Sequence, residues 1–257
     1  MSSSSVIDWS KTVAAIWRAR QQHLRAVTRI DGIELDQLLG IERQKKLIVE
    51  NTERFIAGLP ANNALLWGSR GTGKSSIIKA LLNAYADKGL RVIQIDKDDL
   101  LDLPEIVDEL VEQPYHFIVF CDDLSFEEGD ATYKALKSIL EGSIELPPDN
   151  VLIYATSNRR HLMPEYMSDN EGTKVVETEL HFADVVEEKI SLSDRFGLWL
   201  SFYSINQDQY IEIVDQLVGQ VENKQAMHAE AKRFATSKGG RSGRTAQQFF
   251  KAYSGKL

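Results

Sequence analysis

The chain has 257 residues, with Lys+Arg 30 against Asp+Glu 38, a formal net charge of −8 and 43% hydrophobic residues. This is ordinary for a globular protein; it argues against a uniformly basic nucleic-acid-binding surface, and no stretch approaches the ~20 apolar residues of a membrane span. A single cysteine, Cys121, excludes an internal disulfide, and the five histidines are scattered without metal-ligand spacing.

The length suits one large α/β domain with a small appendage. Met1-Ser2-Ser3-Ser4-Ser5 lacks the basic and apolar regions of a signal peptide, so a cytoplasmic protein without a membrane segment is expected. Residues 8–22 have helical spacing of Trp9, Val13, Ile16 and Trp17. Residues 24–30 and 33–38 read as short extended runs around Asp31-Gly32. Gly40 to Ala57 reads as a helix, and Pro60-Ala61-Asn62-Asn63 breaks it before a strand at Ala64–Trp67. A helix over Ser75–Tyr85 follows, then a strand at Arg91–Ile95, a helix near 103–112 and an apolar strand at Phe117–Cys121. A helix near 130–141 leads to a strand at Val151–Ala155. Residues 159–190 are polar and irregular, a fifth strand is expected at Leu198–Phe202, and helices are expected near 207–219, 226–238 and 245–253. Short β-rich runs alternating with amphipathic helices imply a parallel sheet with helices on both faces and a ligand at the C-terminal strand ends.

Charge is uneven along this order. Residues 96–130 are strongly acidic, whereas Lys11 to Arg29 and Lys224 to Lys256 lean basic. The basic ends permit nucleic-acid contact, and the overall acidity counts against a broad footprint.

Gly68-Ser69-Arg70-Gly71-Thr72-Gly73-Lys74-Ser75 is a complete phosphate-binding loop, G-x-x-x-x-G-K-[ST], with a strand before it and a helix, opening through Ser76, after it. Its glycines let backbone N–H groups form a nest for a polyphosphate, and the helix N-terminus adds partial positive charge. Lys74 neutralises β/γ oxygens in this reading, and the Ser75 hydroxyl ligates Mg²⁺. The strand Phe117–Cys121 ends in Asp122-Asp123, where Asp122 is the metal-side carboxylate and Asp123 orients or deprotonates water. The next strand ends in Thr156-Ser157-Asn158, and the Asn158 amide can bond the γ-phosphate and the lytic water together. In Leu192-Ser193-Asp194-Arg195-Phe196-Gly197, Arg195 is a candidate transition-state finger anchored by Phe196. Arg244, opening the last helix, is a candidate to reach back to the γ-phosphate, with Arg241 as its rival.

These pieces occur in the order found in the AAA+ ATPase superfamily, which the chain resembles over about residues 36–253. The resemblance matches Gly68–Ser75 to the Walker A motif, Phe117–Asp123 to Walker B, Asn158 to sensor 1, Leu192–Gly197 to the arginine-finger box and Arg244 to sensor 2. It also matches Leu39-Gly40-Ile41 to the stretch lining the adenine pocket. Longer strings, among them Asn62-Asn63-Ala64-Leu65-Leu66-Trp67-Gly68 and Cys121-Asp122-Asp123-Leu124-Ser125-Phe126, are similar to a bacterial AAA+ family of unknown function. The implied fold is an α/β P-loop NTPase, a three-layer αβα parallel sheet of AAA+ type with a small C-terminal helical lid. Its implied division is an N-terminal helix and extended segment at 1–35, the nucleotide-binding domain at 36–203 and the lid at 204–257.

The implied activity is a Mg²⁺-dependent ATPase that binds ATP and releases ADP, assembles into homo-oligomers on nucleotide binding, acts through Arg195 on a neighbouring subunit and works on an unknown protein partner. One departure is Asp123, where such proteins usually place Glu; the carboxylate is one methylene shorter. This favours an alternative, a slowly hydrolysing nucleotide-switched adaptor or loader. A small-molecule P-loop kinase with a lid in 159–190 is a third reading, and it leaves Asn158, Arg195 and Arg244 without a role.

Overall fold

In a computed structural model the described residues are 7–126, 148–159 and 195–253, together with 132, 136, 137, 140 and 162. Strands β1 (Ala14–Arg18), β2 (His23–Ala26), β3 (Ala64–Gly68), β4 (Leu90–Ile95), β5 (His116–Cys121), β6 (Val151–Ser157) and β7 (Leu198–Phe202) form one seven-stranded sheet in the order β2-β1-β4-β5-β6-β3-β7. Every pairing is parallel except β1–β2. The central strands β5 and β6 are almost wholly buried, as continuous apolar runs covered on both faces should be.

Two cores flank the sheet. On one face α1 (Glu42–Ile56) and α2 (Lys74–Tyr85) pack Ile48, Phe55, Ile77 and Leu81 against Leu66, Ile118 and Tyr154. On the other, α3 (Leu103–Asp108) and the preceding 3-10 turn Lys97–Asp102 pack Leu100, Leu103 and Ile106 against Ile93, Val119 and Ile153. Each such fully buried aliphatic or aromatic side chain stabilises the fold by about 1.5–3 kcal/mol. A third cluster belongs to α4 (Gln207–Val218), α5 (Lys224–Ser237) and α6 (Gly243–Tyr253), around Tyr210, Val214, Met227, Ala231 and Phe249. Asn206 caps α4 through its side chain and Asn223 caps α5, which sets where each begins.

Residues 7–35 differ in part from expectation: β2 at His23–Ala26 overlaps the extended run expected at 24–30, whereas two other readings fail. Helical spacing over residues 8–22 is overridden: Ala14–Arg18 pairs in parallel with β4 and antiparallel with β2. The exposed edge of β4 supplies ladder hydrogen bonds that an isolated helix would forgo, and strand alternation drives Ala15, Trp17 and Leu24 into one core. This segment is therefore part of the main sheet. Residues 33–38 form no strand; they hold a 3-10 turn at Leu35–Gln37. The helix expected near 103–112 stops at Asp108. The expected helix near 130–141, most of the polar segment 159–190 and Leu192–Asp194 lie outside the described residues.

Candidate functional site

The phosphate loop is set by the way β3 and β7 close on each other. Gly68 has φ +129, and a Cβ there would stand 2.0 Å from the Phe202 carbonyl oxygen, so a side chain is incompatible with this pairing. The Ser69 N–H donates to the same oxygen at 2.9 Å, and the Thr72 hydroxyl donates back to the Ser69 carbonyl at 2.8 Å. The loop then passes directly into α2 at Lys74.

Lys74 is buried, and its ammonium donates to the Gly68 carbonyl at 2.8 Å, the Ser69 carbonyl at 2.7 Å and Asn158 Oδ1 at 3.2 Å. Asn158 uses its other end to donate from Nδ2 to Asp123 Oδ1. Beside it the Ser75 hydroxyl donates to Asp122 Oδ1 at 2.6 Å. The structure thus brings Lys74, Ser75, Asp122, Asp123 and Asn158 together in one hydrogen-bonded cluster at the C-terminal ends of β3, β5 and β6.

Thr156 completes the cluster, and sequence reasoning assigns it no role. Its buried hydroxyl donates to Asp122 Oδ1 and accepts the Asp123 N–H at 3.0 Å. Asp123 lies in the left-handed region at φ 55, a conformation that Asp tolerates better than longer residues. Thr156-Ser157-Asn158 is visible in the sequence as a polar strand end, but only the β5–β6 register, Cys121↔Ala155, puts Thr156 against both carboxylates.

A cavity of about 1110 Å³ opens over this cluster. Arg70 to Ser76, Asp122, Asp123 and Asn158 line its floor. Leu39 and Ile41 line one wall, joined by Leu38, Ile205, Ile213 and Leu217. Gly68, Ser69 and Gly40 do not line the cavity. Gly40 packs by Gln209 of α4, where a Cβ would meet Gln209 Nε2 at 3.3 Å. From α6, Arg244 lines the cavity, and a Cβ at Gly71 would stand 3.3 Å from its Cβ. Arg241 is outside that lining and donates to Gln207 Oε1 at 3.4 Å. The geometry therefore brings Arg244, and not Arg241, to the phosphate loop.

Arg195 is held elsewhere. It precedes β7, whose start Leu198 pairs with Ala64 while its end Phe202 pairs with Gly68. At ~3.3 Å per residue, Leu198 is about 13 Å along the strands from the level of Gly68, and Arg195 lies before it. Phe196 is 2% exposed in the core, and Gly197 leaves room for Asn62, whose Oδ1 would be 2.2 Å from a Cβ there. Two close-packed neighbours thus fix the backbone that carries Arg195 at the far end of the strand from its own cavity.

The donor set suits Mg²⁺ with a polyphosphate. The Ser75 hydroxyl and the Asp122 carboxylate are hard oxygens touching each other, and Mg²⁺ is commonly held by one or two such groups while phosphates and water fill the rest. Burial desolvates the Lys74 ammonium and pulls its pKa down to about 8; Asp122 and Asp123 oppose the shift, and Arg244 and Arg70 add to it. An anion needs the protonated form, so affinity for a non-hydrolysable ATP analogue is expected to fall about tenfold from pH 7 to 9. Calorimetric titration across that range checks this, with Lys74→Met giving a weak, flat profile.

A family model described as "Protein of unknown function (DUF815)" matches residues 10–257. No curated protein matches the chain. Among solved structures, AMPPCP-bound DnaA from Aquifex aeolicus is similar with a TM-score of 0.57 and 16% identity, over 86% of this chain and 64% of that one. A proline-to-glycine mutant of Thermotoga maritima RuvB is similar with a TM-score of 0.50 and 14% identity, over 86% of this chain and 73% of that one. The chain thus spans slightly less than two thirds of the DnaA chain. At these identities the likeness is one of fold, and the fold is the AAA+ P-loop α/β fold.

Proposed function

The chain belongs to the DUF815 family and has the AAA+ fold, and from that premise we propose that it is a Mg²⁺-dependent ATPase that couples ATP binding and hydrolysis to a change in an oligomer or a partner. The observation that carries this reading is the single cluster of Lys74, Ser75, Asp122, Asp123 and Asn158 on the cavity floor.

Lys74 and the loop N–H groups bind the β- and γ-phosphates, and the apolar wall at Leu39–Ile41 takes the base. Ser75 and Asp122 hold Mg²⁺, which when bound neutralises charge developing on the phosphate oxygens. Asn158 and Asp123 orient the attacking water, and Asp123 accepts its proton. Arg244 reports the γ-phosphate to α4–α6, which we take as a lid over residues 204–257 that shifts against residues 36–203. Among the described residues no helix is long and apolar enough to cross a membrane.

One observation favours a slower, switch-like variant. Asn158 bonds both Lys74 and Asp123, so the carboxylate is tethered until a phosphate draws Lys74 away. Steady-state phosphate release from MgATP, measured while protein concentration rises through the micromolar range, separates the readings. A specific activity that climbs with concentration and vanishes in Lys74→Met supports an assembling ATPase. Tight analogue binding with a flat rate below about one per minute supports the switch, far under the usual enzyme range. No binding of MgATP sinks both.

A further inference from the structure

The hairpin that departs from the sequence expectation has an unabsorbed charge pattern. Residues 18–29 contain Arg18, Arg20, Arg25 and Arg29 and no carboxylate, in a chain of net charge −8. All four arginines are exposed, and among the described residues none forms an ion pair. The β1–β2 register decides where they point. Arg18 is opposite His23 and Ile16 is opposite Arg25. Directly opposed residues share a face, as do residues two apart, so Arg18, His23 and Arg25 form one stripe. Trp17 points to the other face, where its Nε1 donates to Asp102 at 2.9 Å. The acidic turn Lys97–Asp102 therefore packs behind the hairpin, and the arginine stripe faces away from it.

Position adds to composition. Because β1 runs parallel to β4, with Ile16 beside Gln94, the hairpin tip rises at the same rim of the sheet as the phosphate loop. Four strand spacings separate β1 from β3, or about 19 Å. A charged edge also blocks unwanted strand pairing, but one charge of either sign on the edge strand achieves that. Four arginines with no counter-charge among the described residues repel one another until an anion arrives.

We propose that this hairpin docks the phosphate backbone of duplex DNA, with Arg18 of β1 and His23 and Arg25 of β2 on one face and Arg20 and Arg29 flanking them in sequence. An acidic protein partner fits less well, because a stable protein interface needs an apolar core. Among the described residues the large exposed apolar ones are Leu59, Leu101, Val111 and Tyr203, none of them on the hairpin. The same lack of aromatic platforms disfavours a single strand, whose bases stack on such rings.

Fluorescence anisotropy of a labelled 30-base-pair duplex, titrated with the full chain at several salt concentrations, tests this independently of ATP hydrolysis. Four backbone contacts give a slope of log K against log salt of about −3.6, and Arg18→Glu with Arg25→Glu cuts it to about −1.8 or abolishes binding. The exposed double variant keeps its basal phosphate release, and Arg18→Gln with Arg25→Gln repeats the loss if charge reversal disturbs folding. The proposal is overturned if duplex binding is absent at 50 mM salt, if the slope is unchanged in the variants, or if polyglutamate of matched charge binds as tightly as the duplex.

Discussion

Replacing Arg195 by alanine is expected to leave affinity for an ATP analogue within about twofold of the parent and to lower phosphate release about a thousandfold, the scale on which arginine fingers act. The cavity is at the Gly68–Phe202 end of the β3–β7 pair, and Arg195 precedes the opposite end. Phe196 buried in the core and Gly197 closed on Asn62 fix that backbone, so the guanidinium does not reach its own chain's phosphate loop. An effect on turnover must then come from a neighbouring copy. Mixing Arg195→Ala with Lys74→Met, each inactive alone, is expected to restore part of the activity, because one supplies an intact cavity and the other an intact arginine. Equal loss of affinity and rate in the single variant, or no recovery in the mixture, rejects the trans assignment.

The contrast between Arg195 and Thr156 shows what the sequence conveys and what it withholds. The phosphate loop is contiguous, so its role is legible in eight successive residues. Strands β3 to β7 are equally legible, because a strand covered on both faces must be apolar throughout and little else explains Phe117–Cys121 or Val151–Ala155. The first hairpin misleads because Trp9, Val13, Ile16 and Trp17 satisfy a helical period locally. What decides the matter is the edge of β4, 78 residues further on in the Ala14↔Val92 register. Thr156 is hidden for the same reason: its contacts depend on the register between two strands. That Arg244 and not Arg241 lines the cavity depends on how α6 packs against the phosphate loop, and the apolar wall from Ile205, Ile213 and Leu217 depends on how α4 packs over it. Local pattern carries the elements and the loop, and long-range register carries the rest.

Asp123→Asn is expected to retain nucleotide affinity and to lose about 10²- to 10³-fold in phosphate release, as removal of a general base does. Asparagine keeps the size and tolerates φ 55, so the loss reports the missing charge. The more telling variant is Asp123→Glu, which restores the side chain usual in AAA+ proteins. At this position glutamate meets a left-handed backbone whose N–H is fixed by Thr156, and the Asn158 amide that serves as carboxylate partner is placed for the shorter Asp123 side chain. The extra methylene would carry the carboxylate past the Asn158 amide, so the rate is expected to fall or stay level, not rise. Thr156→Val removes the hydroxyl that joins Asp122 to the Asp123 N–H and is expected to cost about tenfold in turnover with affinity unchanged, while Thr156→Ser, keeping the hydroxyl, recovers it. Asp123→Asn within threefold of the parent would remove the carboxylate from the chemistry. A faster Asp123→Glu would mean that the left-handed backbone and the Thr156 bond do not set the reach of this residue.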